Sequence, residues 1–104
     1  LVLTSEAGTK GEWRLTIGSL RLTADFYSNI LRIKDTETHV YYMKERISAG
    51  QEISFIFDQE VIEVFAENGK VYGAAETEEN ILGMDWEVFR TEDLKVSEKM
   101  CLYK

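Results

Sequence analysis

The residues with chemistry to offer are few, and most of them are carboxylates. Asp58, Glu60 and Glu63 lie close together in the chain. Paired carboxylates are what glycoside hydrolysis requires, flanking the scissile bond at about 5 to 10 Å from one another. Asp58 and Glu60, however, sit in a short polar break between two apolar runs, where turn formation already accounts for an aspartate. Trp13, Trp86 and the Tyr41-Tyr42 pair carry flat apolar rings that could stack on sugars, and core packing uses the same property. His39 and Cys101 are the only histidine and the only cysteine. A zinc centre needs several such ligands, a nucleophile–base pair needs both members side by side, and an internal disulfide needs two sulfurs. None of these can be assembled from the sequence. His39 therefore reads as a surface residue of a strand, and Cys101 as a small buried hydrophobe. No glycine-rich turn opens a helix to cradle phosphate, no Asp-x-Asp-x-Asp-Gly loop is available for calcium, and no cofactor follows from the sequence.

The chain that positions these residues has 104 amino acids, 44% of them apolar, and no proline. That size fits a single domain, 1–104, with its own core. The net charge of −7 is unevenly spread: residues 1–52 carry seven basic and seven acidic groups, and residues 53–104 carry five and twelve. Nucleic acid and anionic membrane surfaces both ask for a basic track, so neither partner is expected, and the acidic surplus reads as a solubilising surface. No apolar run reaches the ~18 to 20 residues of a membrane span, and no basic head with an apolar stretch marks a signal peptide. With no internal disulfide and no Asn-x-Ser/Thr sequon, the cytoplasm is expected in preference to secretion.

Helical periodicity is sustained nowhere, whereas short runs rich in Val, Ile, Tyr and Phe recur at intervals of about 8 to 12 residues. The spacing predicts strands over 13–17, 20–26, 30–34, 38–43, 53–57, 61–66, 70–76, 84–89 and 95–102. That pattern is all-β, an antiparallel two-sheet β-sandwich of jelly-roll or lectin-like type with eight or nine strands. Asn68-Gly69 predicts a two-residue type I′ hairpin, residues 58–60 close another turn, and the acidic connector 77–82 reads as a loop. The runs 53–57 and 61–66 are apolar on both sides of the pleat. Such strands are covered on both faces, one by the opposite sheet and the other by a loop, the chain ends or another domain.

The segment 50–70, Gly-Gln-Glu-Ile-Ser-Phe-Ile-Phe-Asp-Gln-Glu-Val-Ile-Glu-Val-Phe-Ala-Glu-Asn-Gly-Lys, resembles the C-terminal β-sandwich of glycoside hydrolase family 32, the β-fructofuranosidases that include invertase, levanase and sucrose-6-phosphate hydrolase. The family pattern is an apolar strand, Asp-Arg-Ser-Ser, a Val/Ile-Glu-Val-Phe strand and Asn-Asp-Gly. Asp58 fits the aspartate, Ile62-Glu63-Val64-Phe65 the second strand, and Gly69 the turn glycine. Gln59-Glu60-Val61 replaces Arg-Ser-Ser, so no contact of that arginine is carried over. The resemblance implies an excised accessory domain whose partner is an N-terminal catalytic β-propeller of the same longer chain. The propeller would carry the Asn-Asp-Pro, Arg-Asp-Pro and Glu-Cys motifs, none of which occurs here. This chain alone is then no enzyme. Its expected role is to stabilise the propeller and to assist dimerisation. The alternative is a carbohydrate-binding module for fructose or fructan, with Asp58, Glu63 and Trp86 as the sugar-binding or interface residues.

Overall fold

Short segments in which apolar side chains fall at or near every second position make up most of this chain, and they fold as strands. The computed structural model describes residues 1–100; Cys101 and the end of the expected strand 95–102 lie outside the described residues. The strands are β1 (Val2–Ser5), β2 (Glu12–Ile17), β3 (Leu20–Asp25), β4 (Ile30–Asp35), β5 (Tyr41–Arg46), β6 (Glu52–Asp58), β7 (Val61–Ala66), β8 (Val71–Glu76), β9 (Trp86–Arg90) and β10 (Val96–Lys99). They form two antiparallel five-stranded sheets, the first in the order β10-β1-β6-β7-β8 and the second β5-β4-β3-β2-β9. The result is a β-sandwich.

Four local departures from the sequence expectation have physical causes. Strand β1 was not anticipated, because four residues are too few to display alternation, yet it lies between β10 and β6 in the first sheet. Strand β5 starts at Tyr41 and not at residue 38, because Asp35 folds residues 36–40 into a turn. Its Oδ1 accepts the N–H groups of Glu37 (2.8 Å) and Thr38 (3.1 Å), and His39, at φ 61°, is an exposed turn residue and not part of a strand. Asn68 (φ 56°) and Gly69 (φ 84°) have the positive φ that a type I′ turn demands, and Lys70 N–H donates to the Glu67 carbonyl at 3.2 Å. Glu67 also has φ 52°, so the ladder closes only at Ala66 opposite Val71. The acidic connector is irregular through Asn80 and then makes one 3-10 turn, Ile81–Gly83, whose first residue is buried.

The inner faces of the sheets meet in one apolar core. At its centre Trp13 of β2 is fully buried, with its ring 5.4 Å from Phe55 of β6. Phe55 stacks on Phe57 at 6.4 Å, and Phe57 meets Trp86 of β9 edge-on at 4.8 Å, so aromatic rings from both sheets interlock along the sandwich. The Trp13 indole N–H donates to Glu98 Oε1 of β10 at 2.9 Å, which satisfies a donor whose loss of a partner would cost about 1–3 kcal/mol.

Edge strands β5 and β8 approach one another, and buried Gly73 makes this possible. A Cβ at residue 73 would lie 2.8 Å from Met43 Cγ and 3.0 Å from Met43 Cβ, with Met43 Sδ closer still. Gly73→Ala is expected to destabilise the fold by about 1–3 kcal/mol. Adding Met43→Ala should cost less in that background than in the parent sequence. Chemical denaturation of the four members of this cycle reads the coupling, and strictly additive effects would contradict the contact.

Two aspartates close the turns that follow β3 and β4. Burial pushes the Asp25 carboxyl up, but hydrogen bonds from the Ser28 and Tyr27 amides, with the Arg32 charge, outweigh it and leave it below its ordinary value. The Thr38 and Glu37 amides do the same for Asp35. A carboxylate lowered in the folded state stabilises it above the unfolded pKa, about 3.9, and that stabilisation is lost as pH falls through the lower folded value. The denaturation midpoint should therefore drop below about pH 4. An Asp25→Asn, Asp35→Asn double variant should show a flatter acid limb; an unchanged limb would count against these bonds.

Candidate functional site

The residues of β6, β7 and β8 that do not face the core point to the outside of the first sheet, where the register assembles them into rows. Ser54, Phe65 and Tyr72 form one row, Ile56, Glu63 and Ala74 the next, and Asp58, Val61 and Glu76 the third. Val2 of β1 extends the first row beside Ser54. Phe65 and Tyr72 pack ring to ring at 5.0 Å, and the Tyr72 hydroxyl donates to Glu63 Oε2 at 2.9 Å. Ile56 is 46% and Tyr72 53% exposed, and Val61 and Phe65 are only half-buried. The sequence pattern called for cover on this second face, and no element of the described residues supplies it.

Asp58 and Glu63 share this face on neighbouring strands, a diagonal pair separated by roughly 7–8 Å in sheet geometry. That spacing alone does not make a catalytic pair. Asp58 is exposed at the β6–β7 turn, and Glu63 already accepts the tyrosine hydroxyl. Acid–base catalysis by two carboxylates needs a concave site that excludes water, and this face is open. Nor does Asp58 bond its own turn backbone among the described residues, as Asp25 and Asp35 do in theirs. Instead the β6–β7 turn is tied to the connector, Ile81 N–H donating to the Gln59 carbonyl and Thr77 N–H to that of Glu60, each at 2.7 Å.

Trp86 lies elsewhere. It stands opposite Ile17 in the second sheet, turned inward against Phe57, and its indole N–H donates to the Ile81 carbonyl at 3.0 Å. The structure thus brings Asp58 and Glu63 onto one surface and places Trp86 at the wall of the core. Ile56, Phe65 and Tyr72 complete the face and were not singled out from the sequence. The two-sided apolar character of 53–57 and 61–66 was the signal that could have named the first two.

A depression of about 520 Å³ lies on a different part of the surface. Lys10, Asn29, Arg46, Ser48 and Glu67 are among its lining residues. Glu67 Oε1 accepts Ser48 N–H there at 2.6 Å, which accounts for the left-handed backbone of Glu67 as a structural tie between the β5–β6 and β7–β8 connections. Among the described residues no group of three or more His, Cys, Asp or Glu side chains is arranged to hold a metal ion. No helix among the described residues is long and apolar enough to cross a membrane. No family model matches the chain, and no curated protein matches it.

The Glu63 carboxylate that receives the Tyr72 hydroxyl pushes the phenol's pKa above its ordinary value. Alkaline titration by ultraviolet difference absorbance, referenced to Tyr72→Phe, should show this tyrosine ionising later than a free phenol. Glu63→Gln should move it back toward about 10. An unmoved titration would mean that the bond does not persist in solution.

Proposed function

We propose that this chain is the non-catalytic β-sandwich of a β-fructofuranosidase-type glycoside hydrolase. In this reading it packs the uncovered face of its first sheet against the catalytic β-propeller of the same longer protein, stabilises that propeller and assists dimerisation. The observation that carries the proposal is a coincidence of position. The segment 50–70 that resembles family 32 contains β6 and β7, and these strands hold Ile56, Val61 and Phe65 outward with nothing over them among the described residues. Interfaces between domains of one chain bury about 600–1,500 Å² and tolerate a polar rim. A face of Val2, Ile56, Val61, Phe65 and Tyr72, edged by Asp58 and Glu76, has that composition. The proposal includes the absence of hydrolytic activity in the chain alone, and residence in the cytoplasm.

The test is thermal. Joined to its propeller, the sandwich should melt together with it at a higher midpoint than either part alone. Ile56→Lys should abolish this coupling while changing the stability of the isolated chain by no more than about 0.5 kcal/mol, since the residue is a surface one. Two independent transitions with unchanged midpoints would overturn the proposal.

A further inference from the structure

We infer that the outer face of the second sheet is a binding surface for a glycan chain bearing sulfate or carboxylate groups. The evenly balanced charge of residues 1–52 conceals it. Folding places six of the seven cations of that half, Arg14, Arg21, Arg32, Lys34, Lys44 and Arg46, on one side of β2–β5. Among the described residues of these strands, only Glu12, Asp25 and Glu87 share the face as anions. On a chain of net charge −7, this is a positive surface.

The cations are ordered by the register. Arg14, Thr23, Arg32 and Lys44 stand side by side across four strands, and Thr16, Arg21, Lys34 and Tyr41 form the adjacent row. Thr23 is almost fully buried, so it forms the floor of a shallow depression of about 220 Å³ walled by Arg14, Arg21, Arg32, Lys34 and Tyr41, with the Glu12 carboxylate, already paired with Arg14, at its side. Arg14 is paired with Glu12 at 3.1 Å and Arg32 with Asp25 at 3.6 Å. Arg21, Lys34, Lys44 and Arg46 form no salt bridge with any described residue, and the buried Nε of Arg21 has no hydrogen-bond partner among them. Guanidinium groups held by a rigid sheet, with donors to spare, suit the planar, bidentate recognition of carboxylate or sulfate.

The shape of the face selects among polyanions. Strands lie about 4.8 Å apart, so neighbouring side chains within a row repeat at close to the length of one sugar ring, and the face is an open track with no enclosed pocket. Single-stranded nucleic acid would need aromatic platforms. The rings here are already capped by cations: Arg14 lies 4.6 Å from the centre of Phe89, and Lys34 and Lys44 lie 5.3 and 5.4 Å from that of Tyr41. An acidic peptide added as a strand would need a free backbone edge, whereas this surface presents side chains alone. A glycan lying flat uses what is present: guanidinium and ammonium groups for its charges, and threonine hydroxyls for its hydroxyls.

The experiment is affinity electrophoresis or calorimetry of the chain at low salt with dextran sulfate, neutral dextran, oligo-dT and polyglutamate. Dextran sulfate should bind with an affinity that falls as salt rises, and the other three should bind at least about tenfold more weakly. Lys34→Glu with Lys44→Glu should weaken binding about tenfold or more, and the Gln pair should weaken it less, with folding checked by circular dichroism. Lys99→Glu, on the opposite sheet, should change little. The inference is overturned if dextran sulfate does not bind, if the lysine reversals leave binding intact, or if oligo-dT or polyglutamate binds as tightly through the same lysines.

Discussion

The structure depends on the burial of one indole between two sheets. Trp13 is wholly inaccessible, rests on Phe55 of the opposite sheet, and satisfies its N–H through Glu98 of β10. A ring of that size fixes the spacing of the sheets locally, and its polar edge fixes where β10 must lie. Most of the rest of the core is aliphatic or aromatic filling around this contact, with Ser5 a buried polar exception that accepts the Gly50 N–H. Once the sheets are clamped, period-two alternation leaves each with an outer face whose composition the core does not constrain.

Those two outer faces are chemically opposite. The first sheet exposes Ile56, Phe65 and Tyr72 with carboxylates at Asp58, Glu63 and Glu76, while the second exposes arginine and lysine in rows. A solubilising surface balances the two signs, whereas the second face carries six cations to three anions among the described residues. Segregation of this kind gives one body two independent surfaces. An apolar face suits permanent contact, because it is stabilised by exclusion of water; a cationic face suits a charged, exchangeable ligand.

Much of this was legible in the sequence, and the exceptions are instructive. Nine of the ten strands coincide with runs that alternation or β-branched and aromatic residues mark in the sequence, because those patterns report local geometry directly. Val2–Ser5 escaped because its place between β10 and β6 is set by partners from distant parts of the chain. The turn at Asp35 was underestimated, since a carboxylate that accepts two amides overrides the strand propensity of Val40. Glu63 was recognisable as part of a special strand, but its bond to Tyr72 depends on cross-strand register. The basic face was invisible for the same reason. Net charge adds residues regardless of side, and only the register shows that Arg14, Arg21, Arg32 and Lys34 fall together.

The central proposal is that the outer face of β6, β7 and β8 docks on a catalytic propeller. Hydroxyl-radical footprinting of the isolated chain and of the chain joined to the proposed propeller, compared residue by residue, tests it most directly. Ile56, Phe65 and Tyr72 should be reactive in the isolated chain and protected when it is joined to the proposed propeller, with Tyr41 and Phe89 of the second sheet reactive in both. Equal reactivity of Ile56, Phe65 and Tyr72 in the two samples would contradict it.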